Sequence, residues 1–279
     1  MKQYINNAIN FATQKVDEIF LFNQLIDYLN TSGIPACFAR SVHAHAGFID
    51  FHSAITNKVE KVEIADIMLI NHNILKHETR LSFIQAKYKK QNYRKFVSFQ
   101  GDAIQWDLLT RRPLIVDSYA NGFPSNILSF AKHKTITSFG VFYKDRSGET
   151  DLLFTLPDHL HPTVRKKRTT LVFPGYYHCP SSSCPGIHAP DETISACQMH
   201  LFESSLLSGM IGAPIHSSIR SFIGSTLRSI SSPTSRPIVT EVLRHMDLPI
   251  DEPGENRPHM NTIVLLTGLE GERPHYQRA

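Results

Sequence analysis

Between residues 8 and 30, apolar side chains recur every three or four positions: Ile9, Ala12, Val16, Ile19, Phe20, Leu25, Ile26 and Leu29. That spacing predicts one amphipathic helix, ended by Asn30, Gly33 and Pro35. Beyond it the pattern turns extended, with short strands expected at 35–40 and 46–52. The stretches 61–71, "KVEIADIMLIN", and 80–88, "RLSFIQAKY", are rich in aliphatic and β-branched residues, and the polar link "HNILKHET" predicts that they pair as a hairpin. Residues 99–112, "FQGDAIQWDLLTRR", read as a helix stopped before Pro113, and strands follow at 135–144 and 150–156 on either side of the turn "DRSGE".

The second half is less regular. Residues 174–191 are dense in Pro, Ser, Gly, Cys and His and predict a long loop or a small metal-stapled insert. Helices are expected at 196–209, 216–230 and 238–246, with "SSPTSRP" (231–237) as a linker-like break. A final strand is expected at 260–268, and the last ten residues read as solvated. There is no internal repeat. Helices and strands in this order predict an α/β fold: a mixed central sheet flanked by helices, in a single domain over 1–279 whose core spans 1–145 and whose C-terminal elaboration spans 146–279.

Composition narrows the class. In a chain of 279 residues, 41% hydrophobic side chains suffice for a sizeable core. No run approaches the roughly 20 apolar residues that cross a bilayer. The opening "MKQYINNAINF" turns polar too early for a signal peptide, so a cytoplasmic location and no membrane partner are expected. Four cysteines are too few for a disulfide scaffold. A net charge of +4 permits a nucleic-acid partner without demanding one.

Candidate chemistry concentrates on the predicted hairpin. Side chains alternate along a strand, so Gln85 and Lys87 share one face of "LSFIQAKYKK". Asp66 lies in the apolar run "EIADIMLI", where a lone carboxylate is costly unless it is paired or meets a cation. In a hairpin, Asp66 can sit beside Gln85 and Lys87. An acid and an amide oxygen suit a hard ion such as Mg²⁺, which keeps waters and meets a substrate phosphate, and a lysine beside them can orient water or steady developing charge. A lysine at a strand end also reads as an ordinary device for keeping an edge soluble, but that reading leaves Asp66 unexplained.

"ADIMLI" followed by "IQAKY" resembles the core motif of the PD-(D/E)xK, or restriction-endonuclease-like, nuclease superfamily in its QxK variant. The resemblance covers residues 8–112: a leading helix carrying an acid, a hairpin with the aspartate and the xxK strand, then a helix. It implies a restriction-endonuclease-like core and a metal-dependent nuclease acting on nucleic acid, with DNA favoured, using Mg²⁺ or Mn²⁺. Asp66 would ligate the metal, Gln85 would occupy the second acidic position, Lys87 would be the catalytic lysine, and Glu18 matches the helical acid. Ala65 stands where the motif has proline, and neutral Gln85 removes one negative charge unless Glu18 or Glu63 supplies it.

Past the motif, "KYKKQNYRKFVSF" interleaves Lys89, Lys90, Arg94 and Lys95 with Tyr88, Tyr93, Phe96 and Phe99, the ingredients of a nucleic-acid surface. Gln100 and Gln105 on the expected helix could reach substrate or the attacking water. Arg111, Arg112 and "RKKR" (165–168) are further phosphate-contact candidates of low specificity. Cys179, Cys184, Cys197 and His200 could complete a structural Zn²⁺ site, against which stand free thiols and incidental loop histidines. Two other functions stay open: a nuclease-like protein that binds nucleic acid or a partner without cutting, and a metal-dependent hydrolase built on His43, His45 and His52. A homo-oligomer is compatible with all of these.

Overall fold

The computed structural model describes residues 1–13, 15–39, 47–92, 98–117, 122–131, 134–145, 147–164, 168–172, 187–189, 193–195, 199–250 and 260–268. In chain order the elements are α1 (Lys2–Asn10), α2 (Glu18–Thr31), β1 (Ala36–Ala39), β2 (Phe48–His52), β3 (Val59–Glu63), β4 (Ile67–Asn73), β5 (Glu78–Asn92), β6 (Ser98–Gly101) and α3 (Ala103–Arg111). Then come β7 (Thr137–Lys144), β8 (Thr150–Thr155), β9 (His161–Pro162), β10 (Thr169–Val172), β11 (Ile187–Ala189), β12 (Thr193–Ser195), α4 (Met199–Leu207), β13 (Ala213–Pro214), α5 (Ser217–Ser229), α6 (Arg236–His245) and β14 (Asn261–Thr267).

The fold is α/β with a mixed central sheet in the order β1-β14-β4-β5-β7-β8, with β13 pairing on β5. β14 runs parallel to β4, and β5 parallel to β7; the remaining neighbours are antiparallel. Period-2 alternation sends Ile67, Leu69, Ile84 and Ala86 to one face, packed with α1, α2 and α4 through Ile5, Leu21, Leu25 and Phe202. Met68, Ile70, Leu81 and Phe83 go to the other face, packed with α3, α5 and α6 through Leu108, Ile223 and Val242. Both faces are covered, which is why β4 is buried at all seven positions.

Four expectations need correction. The 8–30 stripe is two helices, not one: Asp17 accepts the Phe20 N–H at 2.9 Å and starts α2 afresh, leaving 11–17 between helices. The expected strand 61–71 breaks at Ile64–Asp66. β3 pairs with β2 as far as Glu63, while β4 enters the main sheet at Ile67 opposite Ile84, so Ile64–Asp66 belong to neither ladder. The expected helix 99–112 begins as strand β6, paired to β10, where a Cβ at Gly101 would meet Leu171 at 2.6 Å. Asp102 then caps α3, accepting the Ile104 N–H at 2.7 Å. Finally, "SSPTSRP" is a tight turn, not a linker: Ser235 donates to the Ile230 carbonyl at 2.8 Å, and α5 packs on α6.

Among the described residues no helix is long and apolar enough to cross a membrane.

Candidate functional site

The site forms where β4 stops and β5 continues. The last pair of the β4–β5 ladder is Ile67 opposite Ile84. Past it, no strand among the described residues pairs with β5 on that side, and its outward N–H groups need other acceptors. Asp66 Oδ2 accepts the Ala86 N–H at 2.7 Å, and Glu18 Oε1 accepts the Tyr88 N–H at 3.0 Å. Two carboxylates from distant segments are thus brought to alternate positions of one strand edge. Asp66 comes from the bend before β4, and Glu18 from the first residue of α2.

Gln85 is buried and Lys87 half-buried, on the face of β5 opposite Ile84 and Ala86. The Gln85 side-chain nitrogen donates to Asp66 Oδ2, and its oxygen accepts from the Gln105 side-chain nitrogen. Gln105, in the first turn of α3, donates from that same nitrogen to the Glu63 backbone carbonyl at 3.0 Å. Asn261, at the start of β14, donates to the Asp66 backbone carbonyl at 3.1 Å. Four elements and the bend therefore hold one polar cluster.

Its electrostatics are those of crowded acids. Burial raises the Asp66 carboxyl above the usual range; Lys87 and the Ala86 N–H oppose the shift, and Glu18 adds to it. Burial, then the Asp66 charge, push Glu63 up to about 7, with Lys87 opposing. The Asp66 charge thus bears on Glu63 and the Glu18 charge on Asp66, with the Lys87 ammonium opposing both shifts. Among the described residues no group of three His, Cys, Asp or Glu side chains is placed to hold a metal ion. Mg²⁺, however, is ordinarily held by one or two carboxylates, with water and phosphate completing the shell. Asp66 and Glu63 fit that donor set.

The predicted residues separate into groups. Asp66, Gln85, Lys87, Glu18 and Gln105 come together. Gln100 does not join them, because it is exposed on β6 and donates to Thr170 Oγ1 at 3.1 Å. Arg111 is held by Asp107 at 2.5 Å, and Arg112 by Asp158 at 3.1 Å, so neither is a free phosphate contact. The side chains of Lys89 and Lys90, and Arg94 and Lys95 altogether, lie outside the described residues, as do Cys179, Cys184, Cys197, His43 and His45. His200 is exposed on α4 and His52 is exposed at the end of β2. Sequence reasoning reached Glu63 only as a spare charge, from its place three residues before Asp66. It missed Asn261, for which nothing local gives a signal.

Comparison of the chain with family models, with curated proteins and with solved structures finds no match.

Proposed function

We propose that the protein is a metal-dependent nuclease with a restriction-endonuclease-like core, hydrolysing phosphodiester bonds of nucleic acid, DNA in the first instance. The observation that carries the reading is the meeting of Asp66, Gln85 and Lys87 with Glu18 and Glu63 where β5 outruns β4. The order of elements also supports it, since an acid-bearing helix, a hairpin and a following helix are what the motif resemblance implies.

Asp66 and Glu63 would hold Mg²⁺ or Mn²⁺, with Glu18 a third carboxylate nearby. Such a cation, when bound, neutralises phosphate charge and makes water a better nucleophile. The chain's own groups do the rest. The Ala86 N–H and the Gln85 amide fix the Asp66 carboxylate. Lys87 orients the attacking water and, as an ammonium, steadies charge on the phosphate oxygens. Lys89, Lys90, Arg94 and Lys95, which follow Lys87 in the sequence, would be the contacts to the nucleic-acid backbone. The reading carries with it a cytoplasmic location.

The test is cleavage of supercoiled plasmid, linear duplex, single-stranded DNA and RNA with Mg²⁺ or Mn²⁺, comparing the wild type with Lys87→Ala and with an EDTA control. Expected is EDTA-sensitive cleavage that falls about 10²–10⁴-fold in the variant; equal activity in the two proteins sinks the mechanism. One observation favours a second reading, a protein that binds nucleic acid without cutting it: Gln85 is neutral and turns its nitrogen, not its oxygen, to Asp66. Tight DNA binding by a wild type that cleaves nothing selects that reading.

A further inference from the structure

The amide groups of Gln85 and Gln105 form a chain with a direction. It starts at a backbone carbonyl, that of Glu63, which can only accept. The Gln105 nitrogen must therefore face that carbonyl, and the same NH₂ group supplies its second hydrogen to Gln85. Because Gln105 presents a donor, Gln85 must answer with its oxygen. Its nitrogen is left pointing at Asp66. Turning Gln85 over would set NH₂ against NH₂, and turning Gln105 as well would set its oxygen against the Glu63 carbonyl. Gln85 and Gln105 are both buried, at 2% and 7% exposure, so water cannot make up for either mismatch.

We infer that Gln105 is a positioning residue: anchored on the Glu63 carbonyl, it locks the Gln85 amide with nitrogen toward Asp66, so Gln85 holds that carboxylate in place and offers no oxygen to a cation. The part of this inference that concerns a cation rests on the nuclease reading; the lock itself does not. It reassigns both residues. Gln85 sits where the motif has a metal-binding acid, yet its polarity is set from α3. Gln105 serves the site through Gln85 and makes no contact with substrate. The cation's charge must then be met by Asp66 with Glu63.

Gln105→Met removes the donor while keeping the length of the side chain. In the metal-free, full-length protein, hydrogen exchange of the Gln85 side-chain amide, followed by nitrogen-15 NMR, is expected to speed up roughly tenfold, the scale of one lost hydrogen bond. Unchanged protection overturns the lock. Mn²⁺ affinity without nucleic acid, by titration calorimetry, gives the second readout. With the Gln85 amide released, the Asp66 carboxylate loses the group that holds it, and affinity is expected to fall about 10–100-fold, the usual cost of removing support from a ligand. Unchanged or higher affinity overturns the inference. A wild type that binds no Mn²⁺ removes the nuclease reading, while the exchange measurement still decides the lock. Trp106, the chain's only tryptophan, adjoins Gln105 and donates to the Pro157 and Leu160 carbonyls at 3.0 Å, so its indole N–H signal reports whether α3 is intact. If Gln105→Met does not fold, Gln105→Asn, too short to reach both acceptors, is measured the same way against the same outcomes.

Discussion

The two ends of the β4–β5 hairpin both bury titratable groups, and they do so to opposite effect. At the end before β4, burial and neighbouring acids raise Asp66 and bring Glu63 up to about 7. At the turn end, His72 is fully buried, bonded through Nδ1 to Thr79 Oγ1 at 2.8 Å, with its ring stacked 4.8 Å from that of His245. His77 lies against the same His245 ring at 5.7 Å, and His245 meets Glu241 at 3.0 Å. Burial, then the two neighbouring histidines, push His72 down to about 4. The neutral imidazole is thus suited to its packing, although its buried Nε2 has no hydrogen-bond partner among the described residues. The acids are not at rest in the same way, because the Asp66 charge bears on Glu63 and the Glu18 charge on Asp66, with Lys87 opposing both shifts. A buried base that has gone neutral is a packing element; carboxyls raised by burial and by neighbouring acids, with a cation nearby, are a site waiting for charge.

The largest expected difference is functional. Lys87→Ala or Asp66→Asn should lower cleavage by about 10²–10⁴-fold while leaving the denaturation midpoint close to that of the wild type. His72→Ala should do the reverse: it removes a buried ring, costs roughly 2–4 kcal/mol in urea unfolding, and leaves cleavage per folded molecule unchanged. If His72→Ala abolished cleavage without unfolding, the division between the two ends would fall.

Next comes the pH dependence. His72 has its folded pKa depressed from 6.5 to about 4, so the unfolded chain binds more protons between those values and stability falls as pH drops from 6.5 to 4. The loss is at most about 3 kcal/mol, and His72→Phe, which keeps a ring, should abolish that part of the slope. Glu63 has its folded pKa raised from 4.5 to about 7. The metal-free folded state then holds the extra proton, and its stability falls as pH rises from 4.5 to 7, by about 2 kcal/mol or less. Glu63→Gln should remove that slope. In the wild type the two slopes oppose each other over much of one range, so unfolding of the two variants across pH 4–8 separates what the parent conceals. The smallest effect is at Glu18. Replacing its carboxylate as acceptor for the Tyr88 N–H by the amide of Glu18→Gln should cost about 1 kcal/mol in unfolding.

The reading from sequence succeeded where a pattern is local. Strands β7 and β8, helix α5 and strand β14 fall within two residues of expectation at each end, because each is a single periodic run bounded by turn residues. The shared face of Gln85 and Lys87 followed from alternation alone. It failed where tertiary contacts override the run. Asp17 captures a backbone N–H and cuts a continuous apolar stripe. β2 pairs with one part of the run and the main sheet with the other, which bends what reads as one strand, and β6 is a strand because β10 is beside it. In the site, the acid and the lysine were legible as residue types out of place. The orientation of Gln85 was not, since it is decided by a carbonyl and an amide that meet it only in the folded chain.

The position of β14 orders assembly in time. This strand lies between β1 and β4, and its Asn261 holds the Asp66 carbonyl from 195 positions further along the chain. As the polypeptide leaves the ribosome, the β4–β5 hairpin and its acids emerge early, with one edge of β4 still bare. Sheet closure must wait for β14, so the segment carrying the candidate chemistry spends most of synthesis as an open edge that later residues alone can seal.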